Sequence, residues 1–477
     1  MVEFVGREHE LAVLDGMLDS VLRSASADPR PGKCLLMRGR RRIGKSSLVE
    51  AFADRAQVPF MFFTAAGASE ELELEAFVEA VVTSSLPDRA VFEESRPGNW
   101  SAALRQLAGV LPDDRPSIVV IDEAPYLMER VDAFEGILQR SWDRELSRKP
   151  VLLILVGSDL AMMEALDSYG RPFHQRGTQL VLGPLNPFEV AQMLHLEPVD
   201  AFDASLVTGG LPLICANWST GADLWQFLAE ELANPVSPLL VSAERSLAAE
   251  FPDTAMAGTV LQAIGSGERT FSNIARAAGG IAHSTLNRAL EILVNKRIVV
   301  AEQPLSTQPS KEKHYVVADP YLRFWLTFVG PHLAEVERLR GDITLDRIQQ
   351  RWVSWRGRVI EPLLRESLAR LLPSAGLPSA PAVGAYWTRS NSVEIDVVGA
   401  DRAPIAKELL FVGSMKWLER SPFDAHDLVA LQRQRAQLTS APIPLLAISR
   451  NGVDPTLNGL DAAFGPEDLF EAWRPRG

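Results

Sequence analysis

Cysteine and long apolar segments are both scarce in this sequence. The two cysteines, Cys34 and Cys215, lie far apart, and neither has a neighbour at metal-ligand spacing. This does not support a disulfide framework, and both are expected to be small buried hydrophobic residues. Apolar runs such as residues 151–156 are far shorter than the roughly 20 residues of a membrane helix, so no membrane contact is expected.

A signal segment and an excess of positive charge are also lacking. Residues 1–10 contain no apolar core of a signal peptide, which predicts a cytoplasmic protein. The formal net charge is −13, which argues against a protein that coats nucleic acid by charge alone. A local basic face on one domain is still compatible with this charge.

The length of 477 residues predicts three or four domains. Short apolar segments near residues 35–37, 59–63, 117–121, 151–156 and 179–182 alternate with helical patterns. They are rich in Val, Ile, Leu and Phe without polar alternation, as expected of parallel strands covered on both faces. The order predicts an α/β fold with a doubly wound parallel sheet over residues 1–185. A helical segment (186–245), three helices and a hairpin (246–325) and a last α/β segment (326–477) follow.

A glycine-rich loop with a following lysine and serine lies after the first predicted strand. Residues 39–46 fit the pattern G-x-x-x-x-G-K-[ST], with Gly39, Gly44, Lys45 and Ser46 at its fixed positions. Backbone N–H groups of such a loop surround phosphate oxygens, and the helix that follows points its positive dipole end at them. Lys45 is expected to reach the β- and γ-phosphates and Ser46 to ligate Mg²⁺. The intervening residues predicted to contact nucleotide are Arg40, Arg41, Arg42 and Ile43, with Ser47 after them.

Two adjacent acids end the strand predicted at residues 117–121. Asp122 is expected to hold Mg²⁺ through water, and Glu123 to polarise the attacking water. Acids at a strand end also act as helix caps, but their place downstream of a complete P-loop favours the catalytic role. The chain is therefore predicted to bind ATP and Mg²⁺ and to hydrolyse ATP.

Three further polar residues follow the next predicted strand. Ser158 ends that strand and is a candidate to hydrogen-bond the γ-phosphate or the water, or alternatively a helix cap. Arg171 and Arg176 precede the fifth strand, where an arginine acts on the γ-phosphate across a subunit interface in some ATPases. The alternative for both is a solvated loop arginine.

Together these motifs resemble those of the archaeal-type ATPases, relatives of the AAA+ and STAND ATPases. The resemblance also rests on residues 4–8 (Phe-Val-Gly-Arg-Glu), Gly157 with Ser158, and residues 208–212 (Thr-Gly-Gly-Leu-Pro). It implies that Val5, Gly6 and Arg7 lie near the adenine. It also implies that residues 208–212 belong to a helical lid over the nucleotide.

The predicted winged helix-turn-helix is more basic than the rest of the chain. Residues 268–314 contain seven Lys or Arg and four Asp or Glu, a net charge of +3. Basic residues on such a module suit phosphate contacts, and the third helix would enter the major groove of double-stranded DNA. The candidate contacts are Ser284, Thr285, Asn287, Arg288 and Arg297. His283, at the start of the helix, is expected to be exposed beside them. A winged helix that only packs against protein is the alternative.

The C-terminal segment resembles the domain of unknown function found on archaeal-type ATPases, which is similar to a PD-(D/E)XK nuclease. That resemblance implies a site of Glu361, Glu394, Asp396 and Lys416. Ser414 stands where a metal-binding glutamate is expected, and a neutral hydroxyl is a weaker Mg²⁺ ligand than a carboxylate. We therefore expect a degenerate site that binds DNA or a partner without cleaving.

Two functions are compatible with the whole sequence. In the first, an ATPase switch couples nucleotide state to DNA binding. In the second, a STAND-like signalling or scaffold ATPase acts through protein partners without DNA. A homo-oligomer is compatible with either function.

Overall fold

The computed structural model describes residues 4–24, 28–250, 255–374, 376–390 and 392–475. The chain folds into two compact units, Met1–Pro184 and Leu185–Gly477. Cys34 and Cys215 are buried free thiols, as predicted. Within the described ranges, no helix has the length and apolar character needed to cross a membrane.

The first unit alternates helices and strands. Its elements are α1 (Glu8–Ser24), β1 (Lys33–Arg38), α2 (Lys45–Ala56), β2 (Phe60–Thr64), α3 (Glu70–Val82), α4 (Val91–Glu94), α5 (Trp100–Val110), β3 (Ser117–Asp122), α6 (Ala124–Arg130), α7 (Phe134–Arg144), a 3₁₀ turn (Leu146–Arg148), β4 (Val151–Gly157), α8 (Leu160–Leu166) and β5 (Thr178–Val181).

The five strands form one parallel sheet in the order β2-β3-β4-β1-β5. Every residue of β3 and β4 is buried, which explains why neither strand alternates apolar and polar residues. One face packs on α1 and α2 through Leu14, Leu48 and Phe52, and the opposite face packs on α3, α5 and α7. The predicted doubly wound α/β core is confirmed. Because β1 lies inside the sheet, its carboxyl end opens between neighbouring strands, where ligands bind in such folds.

The second unit begins with helices and ends with a mixed sheet. Its elements are α9 (Pro187–Leu194), α10 (Pro198–Thr208), α11 (Pro212–Cys215), α12 (Leu224–Ala233), α13 (Pro238–Glu250), α14 (Ala255–Gly265), α15 (Phe271–Ala277), α16 (His283–Asn295), β6 (Val299–Glu302), β7 (His314–Val317), α17 (Pro320–Phe324), a π-helical turn (Trp325–Val329), a 3₁₀ turn (Gly330–His332), α18 (Leu333–Glu337), α19 (Gly341–Val359), α20 (Glu361–Leu371), β8 (Ala382–Trp387), β9 (Glu394–Ala400), β10 (Leu409–Lys416), α21 (Ala425–Leu438), β11 (Leu445–Ser449), β12 (Ala462–Phe464) and α22 (Pro466–Glu471).

One hydrophobic core runs through this second unit. It includes Phe202 of α10, Leu290 of α16 and Phe411 of β10, so the predicted lid, winged helix and C-terminal segment share it. Buried aromatic residues of α17 and the turn after it tie these segments together. The hydroxyl of Tyr321 donates to the carbonyl oxygen of Leu239 at 2.8 Å.

The last sheet has the order β12-β11-β10-β9-β8. Strands β8, β9 and β10 are antiparallel neighbours, whereas β10, β11 and β12 are parallel. Helix α21 covers one face, where Leu428 and Leu431 pack against strand residues such as Val412. The predicted α/β domain at the C-terminus is therefore present.

The loop between β6 and β7 is attached to this sheet. The N–H of Leu305 donates to the carbonyl oxygen of Ala385 at 2.8 Å. The N–H of Ala406 donates to the carbonyl oxygen of Ser306 at 2.9 Å. The ring of His314 on β7 stacks on Trp387 of β8, with centroids 4.1 Å apart. The hairpin thus packs on protein along part of its length.

Candidate functional site

The glycine-rich loop connects β1 to α2 at the carboxyl edge of the sheet. A Cβ on Gly39 would lie 2.7 Å from the carbonyl oxygen of Leu182, so no larger residue fits without displacing backbone. Gly44 precedes α2 with φ 88°, a conformation that other L-residues rarely adopt. The loop conformation therefore depends on the glycines at the two fixed positions of the motif.

Lys45 is buried and folds back over the loop. Its ammonium donates to the carbonyl oxygens of Gly39 at 2.8 Å and Arg40 at 3.0 Å, and to Ser158 Oγ at 2.9 Å. Burial lowers the pKa of Lys45, and the nearby Glu123 and Asp122 carboxylates oppose that shift. A cation held in this way provides a point charge for an anion that enters the loop.

Ser46 and Asp122 face each other across the strand ends. Ser46 Oγ donates to Asp122 Oδ2 at 2.7 Å, and the Glu123 N–H donates to Asp122 Oδ1 at 2.9 Å. Burial raises the pKa of Asp122, and the Ser46 hydrogen bond lowers it. A hydroxyl and a carboxylate this close are hard oxygen donors of the kind that Mg²⁺ takes, so the residues fit the ion that the motif implies.

Glu123 adopts an unusual backbone conformation, with φ 51° at the position that precedes α6. Its carboxylate accepts a hydrogen bond from Ser158 Oγ at 2.5 Å and one from the Ser158 N–H at 3.3 Å. Because Lys45 also donates to Ser158, one serine hydroxyl connects the cation and the acid. The structure thus brings together Lys45, Ser46, Asp122, Glu123 and Ser158, which the sequence places in three separate segments.

The N-terminal Val-Gly-Arg segment touches the same loop. Arg7 is buried, and its guanidinium donates to the carbonyl oxygen of Ile43 at 3.1 Å and to Glu10 Oε1 at 3.4 Å. Gly6 and Arg7 both have positive φ, so the chain turns sharply here. Val5 is half-buried beside them.

The other predicted loop contacts differ in exposure. Arg41 and Arg42 are exposed, and so is Ser47 at the start of α2. The guanidinium of Arg41 donates to the hydroxyl of Tyr126 at 2.8 Å. Tyr126 lies within α6 and is a neighbour of the loop. No sequence motif indicated this residue.

Arg171 and Arg176 are both engaged in ion pairs within the first unit. Arg171 lies 2.6 Å from Glu135 Oε2, and Arg176 forms a bidentate pair with Asp143, with both distances 2.9 Å. Arg176 precedes β5 and therefore lies at the amino edge of the parallel sheet, opposite the P-loop edge. Action of either residue on nucleotide in a second subunit stays a prediction and requires its present ion pair to break.

The exposed face of α16 carries the predicted DNA contacts. Its solvent-facing side chains include Ser284, Thr285, Asn287 and Arg288, while Leu286 and Leu290 are buried beneath them. Arg297 follows the helix with φ 55° and is exposed. The hairpin loop next to it is partly occupied by the C-terminal sheet, as described above.

Three acids of the C-terminal segment lie close together. Burial and the nearby Asp396 raise the pKa of Glu361 to about 7. Burial also raises the pKa of Asp396, whose carboxylate accepts hydrogen bonds from Ser414 Oγ at 3.0 Å and from the Met415 N–H at 2.8 Å. Glu394 is the third acid and shifts the pKa of both neighbours upward.

Arginines occupy the surroundings of these acids. Arg365 donates to the carbonyl oxygen of Asp396 at 2.9 Å and lies 3.5 Å from Glu361, and Arg269 pairs with Glu394 at 3.1 Å. Neither arginine was predicted, although Arg365 follows Glu361 by one helical turn, a spacing that favours an ion pair. Within the described part of the chain, no cluster of three or more His, Cys, Asp or Glu residues is arranged to hold a metal ion.

Lys416 has an ion-pair partner outside the predicted acidic site. Its ammonium pairs with Asp427 of α21 at 2.8 Å. Its role beside Asp396 stays a prediction and would require it to share its charge with Asp427. The residues present do not fit a Mg²⁺ site, since one candidate ligand is Ser414 and two guanidinium groups already neutralise the acids.

We expect no nuclease activity from this site. Incubation of plasmid and single-stranded DNA with Mg²⁺ or Mn²⁺ should give no cleavage by the wild type or by Asp396→Ala. Ser414→Glu, which adds the missing carboxylate, is the matched gain-of-function variant. Robust wild-type cutting that disappears in Asp396→Ala would contradict this expectation.

Residues 325–428 match the family model DUF234, described as archaeal and bacterial proteins of unknown function. This part of the chain is a DUF234 domain. The match confirms the predicted resemblance to the domain of unknown function that accompanies archaeal-type ATPases. The DUF234 domain begins with the π-helical turn and contains α19, α20 and β8–β10, and hence Glu361, Asp396 and the arginines around them.

Other known proteins are similar to most of this chain and not to the DUF234 domain alone. An uncharacterized protein of Methanocaldococcus jannaschii is 24% identical over 422 residues, which are 87% of this chain and 87% of that protein. A Walker-type ATPase of Pyrococcus abyssi is 18% identical, with a TM-score of 0.49, 68% of this chain covered and 96% of that one. The ORC2 protein of Aeropyrum pernix is 14% identical, with a TM-score of 0.47. The similarity covers 70% of this chain and 95% of that one.

Proposed function

We propose that this protein is a Mg²⁺-dependent ATPase. The observation that supports the proposal is the arrangement of Lys45, Ser46, Asp122 and Glu123 at the carboxyl edge of one parallel sheet. Ser46 and Asp122 are 2.7 Å apart, and Ser158 connects Glu123 to Lys45. These groups are the ones that nucleotide phosphates, their cation and an attacking water require.

Each residue has a separate role in this proposal. The backbone of the loop and Lys45 bind the β- and γ-phosphates, while Ser46 and Asp122 hold the cation. Mg²⁺, when bound, neutralises charge on the phosphates. Glu123 accepts a proton from the attacking water, and Ser158 orients the Glu123 carboxylate. Lys45 donates to three protein oxygens, which are acceptors that the ATP phosphates would compete with.

The test is a steady-state measurement of phosphate release from ATP by the full chain. We expect turnover that requires Mg²⁺ and is abolished by chelation with EDTA. ATP binding should be measured separately, with a fluorescent ATP analogue. No turnover and no nucleotide binding by pure folded protein would overturn the proposal.

A second candidate function, DNA binding, is favoured by the exposed face of α16. Ser284, Thr285, Asn287 and Arg288 are all solvent-facing on this helix, and the segment around them has a net charge of +3. Hydroxyl, amide and guanidinium groups are donors to phosphates and base edges. We propose that nucleotide state in the first unit controls this contact.

We expect Arg288→Ala to weaken binding to a double-stranded oligonucleotide. Each lost phosphate contact should reduce the slope of log K against log salt by about 0.9. Fluorescence anisotropy at several salt concentrations, with and without ATP, measures both quantities. Arg420→Ala, in the exposed loop after β10, is the control and should leave binding unchanged.

Absence of wild-type DNA affinity at low salt would favour the scaffold function instead. The attachment of the hairpin loop to the C-terminal sheet supports that alternative, because a wing that packs on protein is less available to a DNA backbone. In that case the winged helix would transmit nucleotide state to a protein partner or to a second copy of the chain.

A further inference from the structure

A small cavity lies between the winged helix and the DUF234 domain. It has a volume of about 80 Å³ and is lined by β7, α17, α19 and the start of α20. Five arginines line it, against two glutamates and one histidine. Burial lowers the pKa of the histidine, His314, to about 4, so its ring is neutral at neutral pH. The lining therefore holds five guanidinium groups against the carboxyl groups of Glu302 and Glu361.

Two of the five arginines are neutralised by partners. Arg269 pairs with Glu394, and Arg365 lies 3.5 Å from Glu361. The other three, Arg323, Arg351 and Arg358, have no carboxylate within ion-pair distance among the residues that the structure describes. These three guanidinium groups outnumber Glu302, the lining carboxylate that forms none of these ion pairs, so the cavity has an excess of positive charge.

The positions of the three arginines differ in depth. Arg323 is on α17, and burial lowers its pKa to about 10. Glu302 and Glu361 oppose this shift from beyond ion-pair distance but do not cancel it, so a bound anion would compensate the remaining desolvation cost. Arg351 and Arg358 are exposed and lie two turns apart on α19, so they project from the same face of that helix. The guanidinium of Arg351 is held 5.6 Å from the ring centroid of Phe328.

We propose that this cavity binds a phosphate dianion, with Arg323 at its floor and Arg351 and Arg358 at its mouth. The charge and the size of the cavity support this choice. Three guanidinium groups against one unpaired carboxylate favour an anion that accepts hydrogen bonds from more than one arginine. A cavity of about 80 Å³ is small beside the several hundred Å³ of sites that hold drug-sized ligands, which favours one tetrahedral oxyanion over a nucleoside. Guanidinium groups match phosphate oxygens with paired N–H donors.

The phosphate has two possible sources with the same chemistry. One is free inorganic phosphate, the product that the proposed ATPase releases. The other is the terminal phosphate of a DNA 5′ end. The residues that line the cavity lie between positions 264 and 365, far along the chain from the P-loop. Phosphate binding in the cavity does not depend on ATP hydrolysis.

The experiment measures phosphate binding to the full chain by isothermal titration calorimetry. The Lys45→Ala background removes most of the contribution of the P-loop. Inorganic phosphate is titrated into Arg358→Ala, Arg323→Met and the unmodified cavity at constant ionic strength. We expect each arginine variant to bind roughly tenfold more weakly, because each loses charge-assisted hydrogen bonds. Arg420→Ala, outside the cavity, is the matched control and should bind as the unmodified cavity does.

A second arm distinguishes the two sources. A 5′-phosphorylated oligonucleotide is compared with the same oligonucleotide ending in a 5′-hydroxyl. Tighter binding of the phosphorylated form that is lost in Arg358→Ala assigns the cavity to a DNA end. Cavity-dependent binding of inorganic phosphate alone assigns it to the free anion. If neither probe distinguishes Arg358→Ala from Arg420→Ala, the proposal is wrong. Because Arg358 is exposed, its variant tests the site even if Arg323→Met fails to fold.

Discussion

Glu123→Gln should bind ATP with near wild-type affinity and hydrolyse it about 10²–10⁴-fold more slowly, the usual effect of losing a general base. The amide keeps the size of the side chain. Its oxygen can still accept the hydrogen bond that Ser158 Oγ donates to Glu123 at 2.5 Å. It no longer takes a proton from water. Single-turnover hydrolysis and equilibrium binding of an ATP analogue measure the two effects separately.

Lys45→Ala is the complementary variant, and it should lose binding as well as turnover. Its ammonium is the only cation of the motif's fixed positions, and charge-assisted contacts contribute about 1.5–3 kcal/mol each. Arg420→Ala is the control for general loss of positive charge, because Arg420 is exposed and lies outside the glycine-rich loop. Wild-type turnover in both Glu123→Gln and Lys45→Ala would show that hydrolysis takes place elsewhere.

The largest expected effect on stability comes from Asp203→Asn in α10. Arg356 of α19 and Arg450 after β11 both donate to Asp203 Oδ2 at 2.8 Å. The Arg356 side chain has no exposed area, and it also contacts the carbonyl oxygen of Trp417 at 3.3 Å. Removing the carboxylate leaves a buried guanidinium without its main counter-charge, which costs about 3–5 kcal/mol in comparable sites.

Urea denaturation followed by tryptophan fluorescence measures this loss, since Trp352 and Trp417 are buried in the same core. Asp342→Asn is the matched control, because Asp342 pairs with Arg340 on the surface and should leave the unfolding midpoint nearly unchanged. Equal midpoints for Asp203→Asn and the wild type would mean that Glu419, 3.1 Å from Arg356, suffices as counter-charge.

The fold of the first unit and the residues of its candidate nucleotide site were predictable because their signals are local. The apolar runs of the parallel strands stand out without alternation, and Gly39, Lys45 and Asp122 belong to short motifs whose chemistry requires their spacing. Ser158 was indicated by its place at the end of a strand. Its double contact with Lys45 and Glu123 depends on the order of strands in the sheet, which places β4 between β1 and β3.

The second unit was less predictable because its decisive contacts join distant residues. Asp203 and Arg356 are 153 positions apart, and Arg269 and Glu394 are 125 positions apart. No periodicity or motif relates such pairs. Lys416 shows the same difficulty. Its ion-pair partner, Asp427, lies on α21, and the sequence does not reveal how that helix packs. The attachment of the hairpin loop to β8 through Leu305 was missed for this reason as well.

The shared core of residues 185–477 has a mechanical consequence. The predicted lid, the predicted winged helix and the DUF234 domain do not pack independently, since contacts of Tyr321, Arg356 and Leu305 join them at separate points. A displacement imposed on α10 must be shared by α19 and the last sheet. A substitution that disturbs one of these contacts is therefore expected to strain the other segments of the second unit, whose chain continues from the first unit between Pro184 and Leu185.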